Sequence, residues 1–478
     1  MTDVTKQIGV GGPSFLTEQQ KQKIYDTALG ILANVGMKVH HDEGQAVMLE
    51  GGCSLDEDGL VRVPADLVGW ARAMAPASFM VYDRAGEPAM ELGGRNSYYG
   101  NGSDIMHLFD LDTGERRRAL LADVGAFAAL TEQLPDLDFV MSMALPQDVP
   151  ETAIDVTVVA AMLRSTRKPL MVCATCAPET LATLQRMARL CGAADSLSIY
   201  AMPSPPLKIS EGAAGRIMAC AELGLPLVWA SGPGPGISAP CSRIGMVVAG
   251  NADVLAGLVL HQLVRPSAPF VFGGLHTGLN MRTSAMTYSG PEVMAQQQAS
   301  IELGHHYGLP SFTFGGVSDS KTLDAQWAAE TAVTLALAAL SGGTLLHDVG
   351  YVESSFQGSY ESIILGDELA RYVRAYLAGV PLDDLDFVVD EIRAAGPGGT
   401  HLTRPFTRTQ HRSLWQPTVI DQWMHDHWEE QGEKTVLDRL RERARELRER
   451  PPAFALPDDV LDELDEFVRA AGGPVRPA

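Results

Sequence analysis

The chain has 478 residues, 46% of them hydrophobic and only 20% charged, a composition that supports a large core and excludes a disordered protein. With 59 acidic against 37 basic residues the formal charge is -22, which opposes binding to a phosphate backbone and argues against nucleic acid as a partner. The acidity reads as a solvated surface.

Taken in order, the chain begins Met1-Thr-Asp-Val-Thr-Lys6, without the basic and apolar segments of a signal peptide. Residues 1–95 read as a separate cap or layer. Thr17 is a candidate N-cap for a helix carrying Ile24, Leu29 and Leu32. A turn at 56–59 precedes a short strand at 60–63, and Pro64 opens the first turn of a second helix. Segments 78–82 and 89–92 straddle a turn and read as a small sheet.

From residue 96 to 395 a rhythm sets in. Eight short apolar segments lie at 98–99, 139–145, 170–174, 199–202, 227–230, 270–272, 312–314 and 345–347. Helical patterns separate them at 123–133, 154–164, 179–191, 212–223, 243–263, 292–307 and 324–340. This alternation predicts an α/β fold, a TIM-type (β/α)8 barrel, with a doubly wound open sheet as the competitor. The apolar stretch 244–264 is broken by Asn251, Asp253, His261 and Gln262, so it reads as a buried helix and no membrane is expected. Residues 396–478 read as a linker at Gly396-Pro-Gly-Gly399 followed by helices, a charged one at 432–450 and a last one opening at Pro457. Six cysteines without regular spacing point to reduced thiols in a cytoplasm.

In such barrels chemistry gathers where the strands end. The first segment leads into Tyr98-Tyr99-Gly-Asn-Gly-Ser-Asp104, the seventh into Phe314-Gly-Gly-Val-Ser-Asp319, and the eighth closes on His347 and leads to Tyr351 and Glu353. Aromatic faces and carboxylates converging on one rim suit a cationic small molecule. Cys173-Ala-Thr-Cys176 stands without a second such pair and reads as pocket wall rather than as a redox or metal site, and no metal ligand set is expected. Gly232-Pro-Gly-Pro-Gly236 has neither the ending of a P-loop nor the spacing of a dinucleotide fingerprint, and reads as a tight loop at the barrel mouth.

The same neighbourhoods carry a resemblance. Gly308-Leu-Pro310, Ser318-Asp-Ser-Lys321, Asp324-Ala-Gln326, Glu330, His347-Asp-Val-Gly-Tyr-Val-Glu-Ser354, Glu361 and Asp367-Glu368 form one run of motifs. Asn251-Ala-Asp253, Leu255-Ala-Gly257, Met281-Arg-Thr283, Pro291-Glu292, Gly399-Thr-His401 and His411 form a second. Together they resemble the trimethylamine methyltransferase (MttB) family, from about residue 20 to about 450. The resemblance implies a TIM barrel that moves a methyl group from a methylated amine to the Co(I) corrinoid (cobalamin) of a small partner protein. Archaeal trimethylamine members carry pyrrolysine, whereas this chain has only standard residues. It is therefore similar to the pyrrolysine-free members that act on quaternary amines such as glycine betaine.

A quaternary amine carries a fixed charge, and its tertiary amine departs without a proton. The enzyme need mainly orient one methyl group, with no metal or nucleophile of its own. On this reading Asp104, His347 and Glu353 orient the substrate or balance its charge. Tyr98, Tyr99, Phe314, Tyr351 and Phe356 supply aromatic surface, and Arg282 or Lys321 meets a carboxylate at the substrate's other end. A corrinoid is too large for a barrel interior packed with side chains. The chain also lacks an Asp-x-His-x-x-Gly cobalamin segment, so no tightly bound cofactor is expected. The corrinoid protein is expected to dock transiently on the loops after Asn101, Ser231, His276 and Tyr351. The N-terminal layer or a homo-oligomer contact is the alternative cover for that rim. A TIM-barrel lyase or hydrolase of another class, and a non-catalytic betaine-binding protein, are the alternative functions.

Overall fold

The structure, a computed structural model, describes residues 14–380 and 385–475. Short runs such as Leu-Val-Trp-Ala-Ser at Leu227–Ser231 are buried along their whole length, as strands covered on both faces must be. Seven of them form one sheet in the spatial order Tyr98–Asn101, Leu345–Val349, Ser311–Phe314, Phe270–Gly274, Leu227–Ser231, Leu197–Ala201, Leu170–Cys173. Every neighbouring pair is parallel. The two outer strands are joined through residues 139 and 140, because Gly100 bridges to Phe139 and Val140 to Leu170, both in parallel. The sheet therefore closes on itself as an eight-stranded (β/α)8 barrel rather than remaining open.

The eighth member of this ring is not the regular strand expected over 139–145. A side chain takes over its ladder: Asn101 Nδ2 donates to Met141 O at 2.9 Å, and Met141 N–H donates to Asn101 Oδ1 at 2.8 Å. Met143 then turns the chain with a φ of 55°. Gly100 is required here, since a Cβ on it would lie 2.2 Å from the Phe139 ring.

The helices follow the apolar spacing and its stop signals. Asp324 caps Ala325–Leu340, its carboxylate accepting the Trp327 N–H at 3.0 Å. Gly224 and Gly308 close Glu211–Leu223 and Pro291–Tyr307 in the left-handed conformation. Arg243–Val264 is long and apolar enough to cross a membrane, but 78% of its apolar window is buried inside the protein. Helices Glu18–Asn34, capped by Thr17 and Gln20, and Ala65–Met74 pack on this long helix, so the N-terminal layer covers the barrel's flank. Pro64 is the N-cap of Ala65–Met74, one position earlier than expected. The hairpin Ser78–Tyr82 and Pro88–Gly93 is antiparallel. Beyond the barrel, Val436–Glu449 packs on Tyr360–Leu377, and Asp458–Ala470 on Ile154–Ser165. Before them in the chain comes Leu385–Ala395, a helix that the sequence rhythm did not reveal, with Leu385, Val389 and Ile392 exposed.

Candidate active site

At the carboxyl end of the strands lies a cavity of about 430 Å³. Strand ends and their loops supply its floor and walls: Ser103 and Asp104, Cys173, Tyr200, Leu275, Phe314, His347 and Asp348, and Tyr351. The loop after Ser231 contributes Gly232, Gly234, Pro235, Ile237 and Ser238. The antiparallel hairpin Gly278–Asn280 and Ala285–Thr287 overhangs it, bringing Leu279, Met286 and, just beyond, Tyr288. Among the described residues, no lysine or arginine lines it, and no lining residue precedes Ser103.

The aromatic wall is rigid. Phe312 stacks under His347, with centroids 4.0 Å apart and planes 5° from parallel, and Tyr200 packs against both. Tyr288 lies 5.0 Å from Phe314. The Tyr351 hydroxyl accepts the Ser103 N–H at 2.8 Å and donates to the Ser103 carbonyl. This clasp explains Gly102, because a Cβ there would lie 2.0 Å from the Tyr351 ring. Asp319 holds the overhang: its carboxylate accepts from Tyr288 N–H at 2.9 Å, Ser289 Oγ at 2.7 Å and Ser354 Oγ at 2.7 Å. Glu330 braces that loop in turn, accepting from Ser318 Oγ at 2.7 Å and Asp319 N–H at 2.8 Å. The Ser318-Asp-Ser motif is thus the scaffold that sets Tyr288 over the cavity.

Three titratable side chains decide the electrostatics. Asp104 and Asp348 both sit at positive φ, 63° and 69°, a backbone strain that collects at functional sites. His347 Nδ1 lies 2.6 Å from Asp348 Oδ1, with both side chains about 95% buried (4% and 5% exposed). The N–H direction misses that oxygen, so neither ring nitrogen nor Asp348 Oδ1 has an aligned hydrogen-bond partner. Burial raises the Asp104 pKa above the usual carboxylate range; hydrogen bonds from Cys173 and Ser103 oppose the shift, and the charges of Asp155 and Asp348 add to it. Burial pushes the Cys173 and Cys176 thiols up as well, which disfavours the thiolates a metal or redox pair would use. Cys173 lines the cavity, while Cys176 gives its N–H to Asp155 at 2.7 Å.

Of the residues singled out from the sequence, His347, Asp104, Phe314 and Tyr351 come together in the cavity. The other six lie outside its lining. The Tyr98 hydroxyl is tied to the Glu91 backbone, accepting its N–H at 3.0 Å and donating to its carbonyl at 3.2 Å. Tyr99 lies under the Arg374 guanidinium, 4.6 Å from its ring centroid. Glu353 pairs with Arg116 at 3.1 Å, and Phe356 is half exposed. Arg282 is exposed at the tip of the hairpin, and Lys321 is exposed with Nζ donating to Asp319 O at 2.6 Å. The sequence reading missed Tyr200, Tyr288 and Asp348. Asp348 follows His347 directly inside a quoted motif and could have been found. Tyr288 lies on a loop and carried no strand-end signal.

The chain matches the family model described as Trimethylamine methyltransferase (MTTB) over residues 6–472. The glycine betaine methyltransferase of Desulfitobacterium hafniense (strain Y51) is 30% identical over 471 residues, covering 97% of this chain and 98% of that one. The trimethylamine methyltransferase MttB of Desulfitobacterium hafniense (strain DSM 10664 / DCB-2) is 26% identical, covering 97% of this chain and 95% of that one. Among solved structures, the Methanosarcina barkeri monomethylamine methyltransferase (MtmB) superposes with a TM-score of 0.52 at 12% identity, over 93% of this chain and 90% of that one, a likeness in fold.

Proposed function

The chain belongs to the trimethylamine methyltransferase (MTTB) family and is a methyltransferase, and on that premise we propose that it moves a methyl group from a quaternary amine to the Co(I) corrinoid of a partner protein. One observation carries the donor class: a cavity walled by Tyr200, Tyr288, Phe314 and Tyr351 that holds Asp104 and Asp348 but no lysine or arginine. A desolvated ammonium over aromatic faces gains about 2 kcal/mol from cation–π attraction. The carboxylates add Coulomb attraction in a medium that screens it poorly.

The partner's corrinoid supplies a two-electron nucleophile that accepts the methyl group. The C–N electron pair stays on nitrogen, a neutral tertiary amine remains, and no proton moves. The chain's own work is therefore to hold and orient. The aromatic wall fixes the ammonium, the Ser103–Tyr351 clasp and the Asp319 brace keep that wall rigid, and burial excludes water. The raised thiols of Cys173 and Cys176 support a site without a metal or nucleophile of its own.

A cavity of about 430 Å³ is too small to take in a corrinoid, so the cofactor is presented from outside. Each of the four rim loops exposes an apolar side chain: Met106 after Asn101, Ile237 after Ser231, Met281 and Met286 after His276, Phe356 after Tyr351. These support transient docking of the corrinoid protein at this rim. The six cysteines are free, which supports a reducing, cytoplasmic setting.

Glycine betaine is the first donor to try, since a relative of that name covers nearly the whole chain. Incubation with cob(I)alamin and a panel of glycine betaine, carnitine and choline is expected to give methylcobalamin and the demethylated amine. No methylation across the panel overturns the proposal. Turnover without any corrinoid would favour a lyase or hydrolase, and binding without transfer a binding protein.

A further inference from the structure

Four basic side chains on the neighbouring loops and helices stay out of the cavity lining. Arg116 serves Glu353 at 3.1 Å and Gln357 at 2.7 Å. Lys321 donates to the Asp319 carbonyl, and Arg216 to the Cys176 carbonyl at 3.0 Å. Arg282 stands exposed at the hairpin tip. The cavity's own ionisable charges are Asp104, Asp348 and His347.

A carboxylate entering this space would be desolvated beside Asp104 and Asp348 without a lysine or arginine to meet it, an arrangement that folded proteins avoid. Three of the lining backbone donors are already engaged. The Gly234 N–H is taken by Ser238 Oγ at 2.8 Å, the Ser103 N–H by Tyr351, and the Leu275 N–H by the Ser231 carbonyl at 2.9 Å. A hydroxyl is in a different position. The buried nitrogens of His347 and Asp348 Oδ1 have no aligned partner, and a hydroxyl can donate to the carboxylate oxygen while accepting from a ring N–H.

We infer that the methyl donor of this enzyme is a net cation, a choline-type quaternary ammonium with an uncharged hydrogen-bonding tail, rather than a betaine bearing a carboxylate. The inference rests on the quaternary-amine reading above and narrows it. Loss of one methyl group to the two-electron Co(I) acceptor leaves the C–N pair on nitrogen, so choline would yield neutral dimethylaminoethanol.

The test is calorimetry on the full-length protein alone, with tetramethylammonium, choline and glycine betaine as titrants. Choline and tetramethylammonium are expected to bind, and glycine betaine at least about tenfold more weakly than choline. Met202→Lys, which places a cation at the partly exposed mouth, is expected to reverse that order; Leu279→Lys repeats the test at a second lining position. Glycine betaine binding as tightly as choline to the unaltered protein would overturn the inference. So would tight betaine binding that disappears in Arg282→Ala, since the hairpin tip would then be the missing carboxylate partner. Either result leaves the quaternary-amine reading standing. Binding of none of the three titrants overturns that reading itself.

Discussion

On the flank of the barrel, beside the first strand, Asp136 and Asp138 meet Arg374. Its guanidinium pairs with Asp136 Oδ1 at 3.0 Å, binds Asp138, and lies over the Tyr99 ring. At the carboxyl end of the same barrel Asp104 and Asp348 face a cavity lined by no lysine or arginine. Asp253 is an intermediate case, a buried acid met only by Ser231 Oγ and the Leu207 N–H, both at 2.9 Å. Ionised side chains are rarely buried unless paired. Where the fold itself needs a carboxylate it provides the cation or the donors. In the pocket no lysine or arginine lines the carboxylates, and a cationic ligand can supply that charge.

Arg374→Ala strands two acids, and urea unfolding is expected to show a loss of about 3–5 kcal/mol. A loss below about 1 kcal/mol would mean that the flank acids are as self-sufficient as those of the cavity.

Asp253 makes stability depend on pH. Burial raises its pKa from 3.8 to about 6, so between those values the folded protein holds a proton that the unfolded chain has released. Stability relative to Asp253→Asn should therefore fall as pH rises from about 4 to about 6 and level off above, by roughly 3 kcal/mol in all. A difference that stays flat across this range would show that Asp253 is ionised in the fold without penalty.

In the cavity the effect should appear in rate. His347→Ala is expected to slow methyl transfer at least about tenfold, roughly 1.4 kcal/mol. Glu353, placed beside His347 by the sequence reading, lies outside the cavity lining in a partly exposed pair with Arg116. For Glu353→Ala the expected change is under about 1 kcal/mol in stability, with less than tenfold in rate. A tenfold drop in its transfer rate would bring it back into the site.

The alternation of short apolar runs with amphipathic stretches, punctuated by Gly224, Gly308 and the capping Asp324, is a local property of the chain. Backbone hydrogen bonding and side-chain spacing alone therefore determined the barrel's helices and most of its strands. The segment after Phe139 escaped that logic, because its ladder runs through the side chain of Asn101, a contact across 40 residues that no local period records.

Which strand-end residues reach the cavity was decided by register. Phe314 pairs with His347 at the level of the mouth, whereas Tyr98 and Tyr99 pair with Leu345 and Leu346, two residues and one residue deeper. Tyr200 and Tyr288 joined Phe314 only through packing and the Asp319 brace. The charge of the site was settled at the same level. Sequence proximity placed Arg282 and Lys321 near the mouth, but a long flexible side chain goes where its charge is hydrated or paired, and that choice exists only once the loops are folded around one another.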